Sequence, residues 1–318
     1  MKHFLALMTF LCLCNRPLMA STELRQFVQE AALTDGSLLE ITIVDNASEE
    51  QRANTTIDRA LAAIRKLDQD FGAAPAAATG NLHDQLNHLK PHTPLKLPEG
   101  YFLLFEQAIE LAKLTNGWFD ITAPSKKGIF VQRDYRRVEL RPASSEMVLT
   151  KKHLKFDLRW LLSGTACDAA LAIIQEAGFQ RAEVKVGPVS KHIGRDIHTP
   201  WGLQIDIPGV QDAYAHRAFQ YRLSDIAVAQ LIPEKITPPL IDPKTKNPVK
   251  GQVKSITVMA KDALHAIAFA VAIAPFDALT GIRYLEKFPG LEGIIVDQTG
   301  ALFISEGLKQ NEKKEKPK

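Results

Sequence analysis

Short β-branched runs and helical stretches alternate through the second half of the chain without settling into a regular βαβ repeat. A doubly wound parallel sheet needs that repeat, so the pattern points to an α+β fold. Residues 181–186, 201–207, 226–229 and 254–260 read as strands, and Phe156-Asp157-Leu158 as a strand end. A helix is expected from about Gly164 to Ala177, capped by Ser163 and closed by Gly178. A strongly apolar helix over 263–274 stops before Pro275, and a further helix holds Tyr284 and Leu285. Residues 293–296 and 301–304 flank Asp297-Gln298-Thr299-Gly300 as a hairpin.

The first half starts with a strand over 38–44, followed by a helix whose apolar face carries Ile57, Leu61, Ile64 and Leu67. Residues 72–80 form a small-residue loop. A second helix over 99–114 turns Phe105, Ile109 and Ala112 inward, and Asn116-Gly117 ends it, because both residues tolerate a left-handed backbone. The 318 residues suffice for one large domain or two closely packed ones, and no internal repeat or low-complexity linker divides them.

Both ends differ from the body. Lys2, the apolar run 4–13 and Pro17-Leu18-Met19-Ala20 read as a secretory signal cleaved after Ala20. The run is too short to span a bilayer, so the mature chain is expected to have no transmembrane span. A bulky Leu before Cys12 and before Cys14 argues against lipid attachment. The mature protein is therefore expected in the periplasm or cell envelope, as a domain over 21–305 followed by a basic, disordered tail over 306–318. Losing Lys2 and Arg16 takes the formal charge from +3 to +1, and the tail, with five Lys against three Glu, carries +2. The body is then near −1, which argues against a nucleic-acid partner. Cleavage also leaves Cys167 without a disulfide partner; it shares a helical stripe with Ala170, Leu171 and Ile174 and reads as a small buried hydrophobe.

G-x-S-x-G, H-E-x-x-H, Cys-x-x-Cys and P-loop patterns are absent. The nine histidines form no metal-ligand pair on one helix face, and Asp206, Asp225, Asp242 and Asp262 read as surface carboxylates. One segment stands out. Gly117-Trp118-Phe119-Asp120-Ile121-Thr122 places two aromatics and two hydrogen-bonding side chains on a short extended stretch that can hold a flat heterocycle and its polar edge.

That segment resembles a motif of the ApbE-type flavin transferases, which move FMN from FAD onto a protein threonine. Other matches follow in the family's order. Phe156-Asp157-Leu158, Gly164, Ala166 and Asp168 fit D-L-G-G-I-A-K-G-Y-A-V-D; Trp201 and Pro208 fit W-x-V-x-I-x-x-P; Leu240-Ile241-Asp242-Pro243, Thr245 and Pro248-Val249 fit H-I-I-D-P-x-T-G-x-P. The resemblance implies an α+β fold of two interleaved halves around a central cleft. It also implies FAD as cofactor with Mg²⁺ polarising its pyrophosphate, and a flavin-acceptor or envelope protein as partner. Phe119, Asp120, Thr122, Gly187, Asp242 and Thr245 become the candidate cofactor-binding residues.

The chain departs from the family where the chemistry sits. Against D-A-L-A-T-A at 265–270, the metal-binding Asp and Thr become His265 and Phe269. His265 on an apolar helix reads as a core residue ahead of a ligand. The glycine pair after Asp157-Leu158 becomes Arg159-Trp160, and the family Lys becomes Ser163. N-A-G-G-D becomes Lys185-Val186-Gly187-Pro188-Val189, the His of H-I-I-D-P becomes Pro239, and T-S-G becomes Gln230-Leu231-Ile232. Arg159, Lys185 and Lys191 read as salt-bridged cations ahead of a new anion site. No catalytic or metal-ligating residue is assigned. The resulting expectation is a transferase-like protein with impaired transfer; the alternative is a flavin- or partner-binding scaffold.

Overall fold

The computed structural model describes residues 23–72, 80–122, 134–152, 154–203, 219–249 and 251–309. The signal segment, most of the 72–80 loop, residues 204–207 of the strand expected over 201–207 (with Asp206), Pro208 and residues 310–318 of the tail lie outside them. In chain order the elements are β1 (Leu24–Ala32), β2 (Leu38–Asn46), α1 (Glu50–Phe71), α2 (Leu82–His88), β3 (Leu95–Lys96) and α3 (Glu99–Leu114). Then come β4 (Val138–Arg141), β5 (Glu146–Leu149), α4 (Arg159–Glu176), β6 (Ala182–Val186), β7 (Val189–Ile193), β8 (Trp201–Leu203) and β9 (Phe219–Leu223). β10 (Ile226–Leu231), β11 (Val253–Ala260), α5 (Ala263–Ile273), α6 (Ala278–Leu285), β12 (Glu292–Asp297) and β13 (Leu302–Ile304) complete the chain.

Eight strands form one sheet in the order β1-β2-β6-β7-β10-β11-β12-β13, with every neighbour antiparallel. β2 pairs with β6, so the two halves of the chain share this sheet. β3, β5 and β4 make a small separate sheet. The expected α+β class is observed, with strands and helices interleaved.

Side-chain alternation sorts the large sheet into two faces. Ile41, Ile43, Val184, Ala229, Ile256, Val258 and Ile295 enter the main core beneath α1, α4 and α5. Their neighbours Val44, Val228, Met259 and Ile294 face the other way and close a second, smaller cluster with Trp201 and Leu308. Leu308 belongs to a helical turn over residues 306–309 and is 5% exposed. The folded body therefore runs to 309 and includes the start of what the sequence reads as a disordered tail.

α5 is the most apolar helix, with nine of its eleven residues buried. Asp262 caps it by accepting from His265 N at 2.9 Å. Asp168, from α4, accepts from Ala263 N at 3.0 Å and Leu264 N at 3.1 Å, and pairs with Lys191 at 2.6 Å. The carboxylate thus satisfies backbone donors that a helix start leaves open. Cys167 is buried and donates to Val184 O, and burial pushes its thiol well above the ordinary range.

Two local expectations are corrected. Phe156-Asp157-Leu158 is not a strand, although Asp157 N still donates to Ile121 O at 2.7 Å. The following helix begins at Arg159, five residues before Gly164, so Ser163 lies inside it and donates to Arg159 O at 3.0 Å. A hydroxyl that bonds back to the preceding turn is not a cap.

At Gly164 the backbone of α4 comes close to that of α5. A β-carbon there would lie 2.6 Å from Leu264 Cα and 3.0 Å from its N, both backbone atoms that cannot turn aside. Gly164→Ala is expected to destabilise the fold by about 1–3 kcal/mol in urea unfolding. An unchanged midpoint would mean the two helices are not in this contact.

Candidate functional site

Around Thr115–Thr122 the polar groups turn inward. Asn116 and Gly117 take the left-handed backbone, with φ of 53° and 73°. Thr115 is buried; its Oγ1 donates to Leu111 O at 2.8 Å and accepts from Phe119 N at 3.1 Å. Phe119 is 1% exposed. Asp120 Oδ1 accepts from Thr122 N and Thr122 Oγ1, both at 2.8 Å, and Oδ2 accepts from Tyr135 N at 3.1 Å. Thr122 Oγ1 accepts from Asp134 N at 2.9 Å. Burial raises the Asp120 carboxyl above its ordinary range, against the opposing pull of the Thr122 donors. Asp120 and Thr122 therefore tie the start of the β4 region to the end of α3. Asp120 also lines a small cavity with Trp118, Phe119 and Ile121.

Asp242 and Thr245 likewise bond to each other. Asp242 Oδ1 accepts from Lys244 N at 2.8 Å and Thr245 N at 3.2 Å, while Oδ2 accepts from Thr245 Oγ1 at 2.8 Å. Ile241 bridges to Pro248 across this turn. Its Lys244 reaches the 118–122 segment, placing Nζ 3.9 Å from the centre of the Trp118 ring. Trp118 packs edge-on against Phe276 at 4.6 Å. The structure thus brings the 118–121 and 240–241 segments together. Gly187 stands apart, at the β6–β7 turn with φ 55°, its N donating to Leu38 O at 2.8 Å. It lines a pocket of ≈ 220 Å³ with Lys185, Ser190, Gln230, Ser255 and Thr257.

Arg159, which the sequence reading treats as a surface or salt-bridged cation, organises the space between these parts. Its Nε lies 3.0 Å from Asp157 Oδ1 and its Nη2 2.8 Å from Oδ2, a two-pronged pair. Nη1 donates to Pro238 O at 3.0 Å, and the guanidinium lies 4.9 Å from the centre of the Trp160 ring. Between Trp118–Ile121, Leu240-Ile241 and this pair only ≈ 20 Å³ is left, room for about one water. On the other side of Arg159 and Trp160 a cleft of ≈ 440 Å³ opens against Phe71, Ser163, Pro188, residues 230–232 and residues 235–238. Segments matched to the family motifs, around 118–121, 157–163, 230–232 and 240–241, thus meet in one place. Lys185 pairs with Glu40 and Glu183, and Lys191 with Asp168, so both are salt-bridged as expected.

α5 corrects the reading of the metal motif. His265 is 46% exposed on the first turn and is not a core residue; its Nδ1 lies 2.7 Å from Asp262 Oδ1. Phe269 packs against Phe288 at 4.7 Å. Neither lines the cleft or the small cavity. The α5 residue that does is Val271, and Ile267, one turn earlier, lies against Gly164. A hard divalent cation prefers oxygen donors, and these are hydrocarbon. Among the described residues there is no group of three or more His, Cys, Asp or Glu that could hold a metal ion, and the α5 side chains nearest the cavity offer Mg²⁺ no oxygen.

The family model described as the ApbE family matches residues 36–295. The chain belongs to the ApbE family. Solved structures agree on the fold. The ApbE protein of Thermotoga maritima superposes with a TM-score of 0.73 at 21% identity, over 90% of this chain and 99% of that one. The Pseudomonas stutzeri flavinyl transferase ApbE, in its apo form, gives 0.73 at 16% identity over 90% and 96%. The flavin transferase ApbE from Vibrio cholerae gives 0.72 at 17% identity over 91% and 99%. No curated protein matches the chain significantly.

Within this ApbE-family fold Arg159 is salt-bridged as expected, but its place in the cavity wall is missed from sequence, as are the contacts of Lys244 and the 235–238 wall. An Asp two residues before an Arg at a helix start was the readable signal for the first. The contacts made by Lys244 and the 235–238 wall depend on loops that meet only after folding.

The His265–Asp262 pair gives a pH test of a capping role. The hydrogen bond to Asp262 raises the imidazole above its ordinary 6.5, with burial opposing. A raised folded value means the stabilisation is fully present below pH 6.5 and is lost as pH rises through the folded value. Wild type is expected to lose stability relative to His265→Gln across that window in urea titrations at stepped pH, with Mg²⁺ making no difference. A difference that stays flat with pH would rule out the pairing.

Proposed function

We propose that this ApbE-family protein is exported and flavin-transferase-like, with metal-dependent transfer of FMN from FAD to protein threonine impaired. The observation that carries the reading is the Asp157–Arg159–Trp160 arrangement. It fills the approach that glycines leave open in the family motif, while α5 offers Val271 to the same cavity. Phosphoryl transfer depends on neutralising the charge that develops on the phosphates, for which a cation and its oxygen ligands are the usual means. D-A-L-A-T-A set two residues further on, at 267–272, keeps the same alanines and places Ile267 at its Asp and Val271 at its Thr. In either register both side-chain oxygens are lost.

A scaffold role in the cell envelope follows if a ligand or partner occupies the cleft without transfer. Trp118, Phe119 and the Asp242 turn then serve as the shared framework, with Gly187 setting the adjacent hairpin. No helix among the described residues is long and apolar enough to cross a membrane.

Two measurements test these statements. Incubation with FAD, Mg²⁺ and a threonine-containing acceptor protein is expected to give no fluorescent flavinylated band; labelling that disappears on chelation would refute the impairment. Expression with the native N-terminus is expected to yield, by intact mass, a mature chain starting at Ser21. A full-length mass would remove the export reading.

A further inference from the structure

The ≈ 220 Å³ pocket at the β6–β7 turn shares Pro188 and residues 230–232 with the cleft and lies across that wall from it. In β11, Ile256 and Val258 enter the main core while Met259 joins the smaller cluster. Ser255 and Thr257 therefore lie on the sheet face turned away from α4 and α5. Strand pairing sets Gln230 opposite Thr257 and Lys185 opposite Ser190. Gln230 N also donates to Pro188 O at 2.8 Å, which fixes the turn against β10. Polar side chains from four neighbouring strands thus surround one pocket.

Its hydroxyls are unengaged. Ser255 is 5% exposed, and its Oγ is buried without a hydrogen-bond partner. Thr257 is 1% exposed, and the Thr257 and Ser190 hydroxyls make no hydrogen bond among the described residues. A buried hydroxyl left unpaired is costly, so native structures hold few of them. The charges nearby are already matched: Lys185 Nζ lies 2.8 Å from Glu40 Oε1 and 3.0 Å from Glu183 Oε2. An oxyanion only accepts hydrogen bonds and an ammonium only donates them. Each hydroxyl of a polyol does both, as Ser and Thr do. Pro188 and Ile232 add apolar surface for the carbon skeleton of such a ligand. The volume falls below the ~300–1,000 Å³ usual for drug-sized ligands, which limits the occupant to about one sugar ring.

We infer that this pocket binds a neutral polyhydroxylated ligand the size of one sugar ring, through Ser190, Ser255 and Thr257. Ser255 Oγ reaches the ligand by turning about its one side-chain torsion between staggered positions, and it gives up no bond in doing so. The site uses neither flavin nor metal, so it stands apart from the transferase reading.

Saturation-transfer NMR titration of the purified protein with D-glucose, D-mannose and myo-inositol is expected to show saturable binding of at least one, in the millimolar range. Inorganic phosphate is expected to bind more weakly than that probe. Thr257→Val keeps the side-chain shape without the hydroxyl and is expected to weaken the probe ~5-fold or more. Ser255→Ala is expected to weaken it similarly, with a urea midpoint at or above wild type, because the free protein loses no hydrogen bond. No saturable binding of the three probes overturns the inference, as does phosphate binding more tightly than any of them. Binding that neither variant weakens also overturns it. A lowered Ser255→Ala midpoint with probe binding intact would make Ser255 a structural residue and overturn it too. None of these probes carries a flavin, so the outcomes are independent of the FAD transfer assay.

Discussion

The contact between α4 and α5 is the constraint on which the rest of the structure depends. Gly164 lets the two backbones approach closely, and Asp168, one turn further along α4, holds the start of α5 through two backbone amides. Because the carboxylate also binds Lys191 of β7, one residue ties helix, helix and sheet together. With α4 fixed in this way, Asp157, Arg159 and Trp160 at its start are aimed at a definite place. The same contact sets the rotation of α5 and so decides that Val271 faces the cavity.

The remaining walls come from segments held in shape by their own internal bonds. The 242–247 turn is closed by Asp242 and Thr245, and its Lys244 docks on Trp118. The 118–122 stretch is locked from the inside by Thr115 and Asp120. Polar side chains with completed internal bonds keep a loop in shape, and they leave few donors for a ligand. Under the proposed reading, this is how a framework persists while its chemistry changes: residues that hold backbone can stay the same while residues that face the cleft differ.

The α+β class, most strands and the helices around Ile57, Phe105 and Cys167 were legible because periodicity and stop residues report local structure directly. The site was less legible, for identifiable reasons. Gly164 looked like a helix start because glycine favours ends, but here it serves close packing inside the helix. In α5, alanine at 266, 268, 270 and 272 repeats every second residue, so a motif with alternating alanines fits in two registers. Only the face that a packed helix presents distinguishes them. His265 looked internal because its neighbours are apolar; its place on the first turn beside Asp262 leaves it partly in water. The bonds of Asp120 and Thr122 to residues 134 and 135 could not be read because they span a stretch that sequence spacing does not connect.

The outer face of the large sheet closes around Leu308, which follows the last strand. Val44, in the second strand, shares that cluster with a residue more than two hundred and fifty positions later in the chain. A growing polypeptide must therefore deliver nearly all of itself before this face can shed water. Until then the sheet carries an unfinished apolar surface, the kind of exposure that draws chaperones to nascent chains.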